Sequence, residues 1–179
     1  MRTGVSGTNW TGKTETIRAF INSNPEVAIE TVSLSSLVSE CPFPMIENQT
    51  LEGSRWMIEK VSGLCKKDSG ELQIFDRTPL DIFAFTLHAL DRTDEKDFNI
   101  LNDIVKLTDH FDIIFYLPYS NEWPVNVIPS VEKIQFAKKI DSYIKRAIEK
   151  ISNNIIVLPW DLSKRQELLS EHLLGTNYT

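Results

Sequence analysis

Glycine is scarce in this chain of 179 residues. There are seven, and three of them, Gly4, Gly7 and Gly12, fall within the first twelve positions. The chain therefore concentrates its backbone freedom near its start. Cysteine is scarcer still. Cys41 and Cys65 have no C-x-x-C spacing and no nearby histidine pair, which argues against a zinc site. They suit two half-buried thiols in a reducing compartment. No run of 18 apolar residues occurs, so no membrane span is expected. The opening "MRTGVSGTNW" is too short and polar for a signal core, and a cytoplasmic location is expected. Basic charge is not in surplus: 19 Lys and Arg face 25 Asp and Glu, a net charge of −6. A generally basic nucleic-acid surface is not indicated, although a local groove is compatible with this balance. Repeats, low-complexity tracts and Pro/Gly/Ser linkers are all missing. One domain spanning 1–179 with a sizeable core is the expectation.

What is present alternates. Strand-like segments at 1–6 (a weak one), 27–32, 72–75, 112–118 and 154–159 are separated by helix-like segments. The helices are read at 13–22, 33–40, 51–66, 79–90, 95–110, 132–152 and 163–174. "DIIFYLP" and "NIIVLP" are continuous apolar runs of the kind buried on both faces of a parallel sheet. This order calls for an α/β fold with a mostly parallel five-stranded sheet and helices on both faces. Ligands then bind beyond the carboxyl ends of the strands. That edge is expected to hold the Gly7 loop, 30–33, Asp76, the 119–131 loop and Trp160.

Gly7-Thr8-Asn9-Trp10-Thr11-Gly12-Lys13-Thr14 fits G-x-x-x-x-G-K-[ST], the phosphate-binding loop. Its glycines let backbone N–H groups turn toward phosphate oxygens. The helix behind it presents a positive end. Lys13 can bridge the outer phosphates and the Thr14 hydroxyl can bind Mg²⁺. A chance turn before a helix would match the pattern too, but here a strand precedes it and a helix follows. The fold expected is thus a three-layer sandwich of the P-loop NTPase type. No N-K-x-D segment follows a late strand, which speaks against a GTPase.

The strand at 72–75 delivers Asp76 and Arg77 to the ligand edge. Arg77 can grip a phosphate with a planar fork. Asp76 can hold Mg²⁺ or accept a proton, and Glu30 could do the second job. An ion pair or helix cap accounts for Asp76-Arg77 as well. Asp76-Arg77-Thr78 followed by Asp81-Ile82-Phe83-Ala84-Phe85 resembles the strand-end Asp-Arg motif of thymidylate kinases and its following helix. It is also similar to small kinases related to the ribosylnicotinamide kinase domain. Glu30 matches the acidic residue those relatives often carry at the end of the second strand.

The resemblance to this P-loop nucleoside and nucleotide kinase group implies ATP and Mg²⁺ as cofactors and a small nucleotide or nucleoside as acceptor. It implies Lys13, Asp76, Arg77 and Glu30 as catalytic residues, and Thr14 and Asp76 as metal-binding ones. The acceptor is expected between 33–60 and Arg77, with Phe43, Arg55 and Trp56 as lining candidates. Arg55 and Arg77 favour a monophosphate. Trp160 follows the last strand and could pack on adenine; core packing is the plainer reading.

The resemblance also implies a lid at about 119–140, and there the sequence departs. Residues 119–145 contain no arginine; Lys133, Lys138 and Lys139 supply charge without the planar fork, and Trp123 could help close the site. A nucleotide-binding switch or slow ATPase is the alternative. The helices at 51–66 and 79–109 could form a homodimer face or simply the core. His88, His110 and His172 lack partners at metal spacing and read as solvent-facing or capping.

Overall fold

The structure, a computed structural model, describes residues 1–67, 70–94, 97–121 and 129–175. In its sheet, β4 (Ile113–Leu117) is buried along all five residues. Successive side chains point to opposite faces. Ile113, Phe115 and Leu117 enter one apolar core. Ile114 and Tyr116 enter the other. β3, Leu72–Asp76, splits in the same way, with Ile74 on the first side and Phe75 on the second. Two-sided burial is why these runs are apolar without alternation.

β1 (Arg2–Gly7), β2 (Ile29–Ser33) and β5 (Asn154–Val157) complete the sheet. The order is β2-β3-β1-β4-β5, and every pairing is parallel. α1 (Lys13–Ser23) and α7 (Leu162–Leu174) cover one face, where Ile17, Phe20 and Leu169 join the core. After the short α2 (Leu34–Glu40), the other face carries α3 (Leu51–Cys65), α4 (Pro79–Arg92), α5 (Asn99–Thr108) and α6 (Val131–Ile148). This is the expected three-layer α/β sandwich. Among the described residues no helix is long and apolar enough to cross a membrane.

Several expectations change. β1 is the central strand although it looks weak, because its small residues let neighbours come close. A Cβ at Gly4 would meet the Thr78 methyl at 2.6 Å. β5 is not fully buried: it is an edge strand, and Val157 is 60% exposed. Having a neighbour on one side only, it is covered on one side only. α6 stops at Ile148 rather than 152, and α5 spans only Asn99–Thr108. All of α4 from Pro79 to Leu90 is buried within the chain, so that helix belongs to the core. A helix apolar all round is a buried one. His88 is buried within it rather than solvent-facing, with Nε2 against the Glu47 carbonyl at 3.2 Å. Cys65 is buried and Cys41 half-buried.

Candidate active site

The loop from Gly7 to Thr14 joins β1 to α1. Gly7 has no room for a side chain: a Cβ would sit 2.5 Å from the Leu117 carbonyl oxygen. Gly12 adopts φ +88°, where L side chains are strained, and hands over to α1 at Lys13. The first turn of α1 therefore points its free N–H groups into the loop's concavity. Lys13 is buried, and its ammonium donates to the Thr8 carbonyl at 2.8 Å. Burial, with Arg77 nearby, pulls its pKa down to about 7 against the opposing pull of Asp81 and Asp76.

Asp76 closes β3 beside this loop. Its Oδ2 accepts from the Thr14 hydroxyl at 2.6 Å, and its Oδ1 is buried with no hydrogen-bond partner. Arg77 follows at φ +79°. Its Nε donates to the Ser35 hydroxyl at 3.0 Å and its Nη2 to the Asn9 amide oxygen at 2.8 Å. Nη1 makes no hydrogen bond; Asp81 Oδ1 lies 3.5 Å away.

Asp81 escaped the sequence reading as a site residue. Its carboxylate accepts from the Ser6 hydroxyl at 2.8 Å, the Gly7 N–H at 3.3 Å and the Thr78 N–H at 2.9 Å. Thr78 and Asp81 thus form the capping box of α4, and the same carboxylate pins β1's end and faces Arg77. The T-P-x-D spelling carries the capping signal; the contacts to Ser6 and Gly7 needed the fold. Arg165 of α7 was also missed. It is buried, donating to the carbonyls of Pro159, Trp160 and Thr11 and to the Thr16 hydroxyl. Nothing in its local sequence marks it.

Two cavities meet at Arg77. One, of about 340 Å³, lies against the phosphate loop and is lined by Asn9, Trp10, Lys13, Thr14, Asp76 and Arg77 among others. The second, of about 160 Å³, is mostly apolar. Val38, Met45, Ile46, Met57 and Phe85 line it, with the buried amide of Gln49. Ser35 and Arg77 line both. Among the described residues, three non-glycine residues have positive φ: Trp10 at 65°, Ile46 at 61° and Arg77 at 79°. All three line these cavities. Such strain persists where surrounding structure enforces it and clusters at functional sites.

Other expected residues are elsewhere. Glu30 is not at the end of β2. It pairs in register with Gln73, and its carboxylate accepts from the Gln73 amide at 2.7 Å. Ser33 is the residue level with Asp76, which leaves Glu30 about 10 Å short of the ligand edge. Arg55 pairs with Asp97 at 3.1 Å on the surface and does not line the apolar cavity. Neither Phe43 nor Trp56 lines it; Phe43 is exposed and Trp56 packs partly against the core. Trp160 lies beneath the Arg165 guanidinium, 5.2 Å from its ring centre, and so next to the phosphate loop's support. In the lid region, Trp123 lies outside the described residues. Lys138 stands over Tyr119, and Lys139 pairs with Asp91 at 3.6 Å.

The residues fit a nucleotide with Mg²⁺. The glycine-bounded cradle, the buried ammonium of Lys13 and the α1 N-terminus suit phosphates. The Thr14 hydroxyl and the unpartnered Asp76 Oδ1 suit a hard cation. Among the described residues no group of three acidic, histidine or cysteine side chains could hold a metal alone. A cation here would rely on phosphate oxygens and water as well.

No protein-family model and no curated protein matches the chain. Solved structures do. Deoxyadenosine kinase from M. mycoides with bound dATP aligns with a TM-score of 0.63 at 19% identity, over 97% of this chain and 99% of that one. With dCTP bound, the same enzyme gives 0.63 at 17%, over 98% and 100%. Thymidylate kinase from Candida albicans gives 0.60 at 13%, over 95% and 89%. The chain has, end to end, the fold of P-loop nucleoside and nucleotide kinases.

Proposed function

We propose that this protein transfers the γ-phosphoryl group of ATP to a (deoxy)nucleoside monophosphate. Arg77 carries the reading. It lies between the phosphate cradle and the apolar cavity, held by Asn9 on one side and Ser35 on the other, with Nη1 free of hydrogen bonds. A guanidinium so placed can hold an acceptor phosphate in line with a donor phosphate. The apolar cavity would take the base; the Gln49 amide donates one N–H to the Ser54 hydroxyl at 2.9 Å, which leaves its oxygen and second N–H for the base's edge.

A monophosphate is favoured over a nucleoside by the carboxylates. A sugar hydroxyl needs a base to take its proton, whereas a phosphate oxygen is already ionised at neutral pH. Asp81 is the one carboxylate among the described residues lining the acceptor cavity. It is committed to three hydrogen bonds and the Arg77 contact. Glu30, the other candidate base, is three residues short of the end of β2, where Ser33 stands level with Asp76.

ATP with Mg²⁺ supplies the phosphoryl group and a cation that offsets its charge. Lys13 and the α1 N-terminus bind and orient the donor phosphates. Thr14 and Asp76 would hold the cation. Arg77 aligns the acceptor and neutralises charge as it spreads.

The test is ADP release with ATP-Mg²⁺ against a panel of nucleosides and nucleoside monophosphates, with Lys13→Ala alongside. Turnover with monophosphates, absent in the variant, is expected. Turnover restricted to nucleosides would overturn the acceptor assignment. Tight ATP binding with a flat panel would favour a switch or slow ATPase.

A further inference from the structure

We propose that His88 is a positioning residue that sets which bases the apolar cavity admits, by clamping the backbone carbonyl of Glu47. The proposal rests on the kinase reading and deepens it, since that reading assigns this cavity to the base. One wall of the cavity is the stretch between α2 and α3, from which Met45, Ile46 and Gln49 line it. Ile46 opens a single turn of 3-10 helix, Ile46–Asn48, at φ +61°. A β-branched residue in the left-handed region is an outlier, and it stays there only where its surroundings hold it.

The hold is on the next residue. The Glu47 carbonyl accepts from His88 Nε2 at 3.2 Å and from Arg92 Nη1 at 2.5 Å, both on α4. A carbonyl only accepts, so Nε2 carries the proton in this contact. Nδ1 is buried with no partner. Burial, with Lys139 and Arg92 behind it, lowers the ring's pKa against the pull of the Glu47 bond and Asp91, which keeps the imidazole neutral. Phe136 of α6 packs edge-on against that ring, with centres 5.1 Å apart. An apolar side chain would fill the same space without an orphaned nitrogen, so packing alone does not account for a histidine here. His88 does not itself line the cavity; it acts on the wall through the Glu47 backbone. The other bonds of the turn are local: Asn48 N–H to the Met45 carbonyl, Gln49 N–H to the Ile46 carbonyl and Thr50 N–H to the Pro44 carbonyl. Among the described residues, the hydrogen bonds that tie the turn to α4 are the two on the Glu47 carbonyl. Without the clamp, Ile46 is free to return to negative φ, and the wall that it shares with Gln49 loses its fixed place.

His88→Leu and His88→Gln test this on the full chain. Leucine fills the space and removes the donor; a glutamine amide can place an N–H where Nε2 stands. Amide hydrogen exchange of the free protein follows Asn48, Gln49 and Thr50, and kinetics compare pyrimidine with purine monophosphates. In His88→Leu these three amides should exchange about tenfold faster, with those of β4 unchanged. The ratio of the two kcat/KM values should move about tenfold toward parity, through KM, with kcat and ATP affinity unchanged. His88→Gln should recover most of both effects. Unchanged exchange or an unchanged ratio in His88→Leu would overturn the proposal. So would a loss in His88→Gln equal to that in His88→Leu, because the donor would then be irrelevant. Exchange that responds as stated in a protein without acceptor-dependent turnover would sink the kinase reading alone.

Discussion

A buried lysine whose pKa is pulled down to about 7 would bind a phosphate with uptake of a proton. In the free protein Lys13 is surrounded by loop backbone and held near Arg77, and burial dominates the shift to about 7. An ammonium that meets phosphate is stabilised, so binding raises its pKa again. Above pH 7 the free protein has mostly lost this proton and the complex has not. Nucleotide binding at pH 8 should take up close to one proton, read as buffer-dependent enthalpy, and affinity should fall by up to about tenfold per pH unit. Lys13→Ala should show no such uptake; wild-type binding without proton exchange at pH 8 would refute the linkage. Stability follows the same group. Unfolded, Lys13 titrates near 10.5, so between pH 7 and 10.5 the unfolded chain holds the extra proton. The penalty of burying the charge is fully present below pH 7 and is relieved as pH rises through that window. The loop's shape was readable here because its spelling dictates it: a Cβ at Gly7 would clash with the Leu117 carbonyl and Gly12 takes φ +88°. Glu30 was misplaced for the opposite reason: a carboxylate near a strand gives no register, and the β2–β3 pairing sets it three residues short.

Elements are joined by groups whose partners are distant in sequence, and these were the least legible. α7 is pinned to the phosphate loop by Arg165, which bridges three backbone carbonyls and the Thr16 hydroxyl. Gln166 adds a bond to the Thr16 carbonyl at 3.1 Å. A Cβ at Gly12 would sit 3.0 Å from the guanidinium, so Arg165 also limits what residue 12 can be. Arg165→Leu leaves buried carbonyls unpaired and should cost about 1–3 kcal/mol for that loss. Denaturant unfolding measures it. ATP affinity should fall too, because Thr11 loses its support; a variant destabilised with unchanged ATP affinity would show α7 to be a structural prop only. Arg165 reads as an ordinary arginine on an amphipathic helix, and nothing nearby spells its role. Strands fared better. "DIIFYLP" announced β4, but "NIIVLP" looked equally buried and proved to be an edge, because apolar runs report burial without reporting strand order. β1 shows the converse: its small, unimpressive residues occupy the sheet's centre because closely packed neighbours demand them.

At the scale of the whole molecule, the sheet's carboxyl edge carries two cavities of different character joined at one arginine. The cradle is polar; the second cavity is mostly apolar and lies among α2, α3 and α4. Sequence order was enough to predict the edge, since a parallel α/β sheet leaves its ligand crevice there. It also pointed to the region between 33–60 and Arg77, where the apolar cavity lies, but not to its lining: Phe43, Arg55 and Trp56 were expected there, and the walls come instead from side chains of four separate segments. The volume makes a prediction that sequence could not. The space open to a ligand there is about 160 Å³, on the scale of one small ring. A single pyrimidine ring matches it better than a fused purine pair. Pyrimidine monophosphates should therefore give a higher kcat/KM than purine monophosphates, with the difference chiefly in KM. Val38→Trp, which puts an indole into the cavity from a partly exposed position, should abolish acceptor turnover. It should leave ATP affinity within about twofold, because Val38 lines the apolar cavity and not the cradle. Purines preferred by the wild type would mean that α2 moves outward on binding. Undiminished monophosphate turnover in Val38→Trp would place the acceptor elsewhere and remove the role assigned to Gln49.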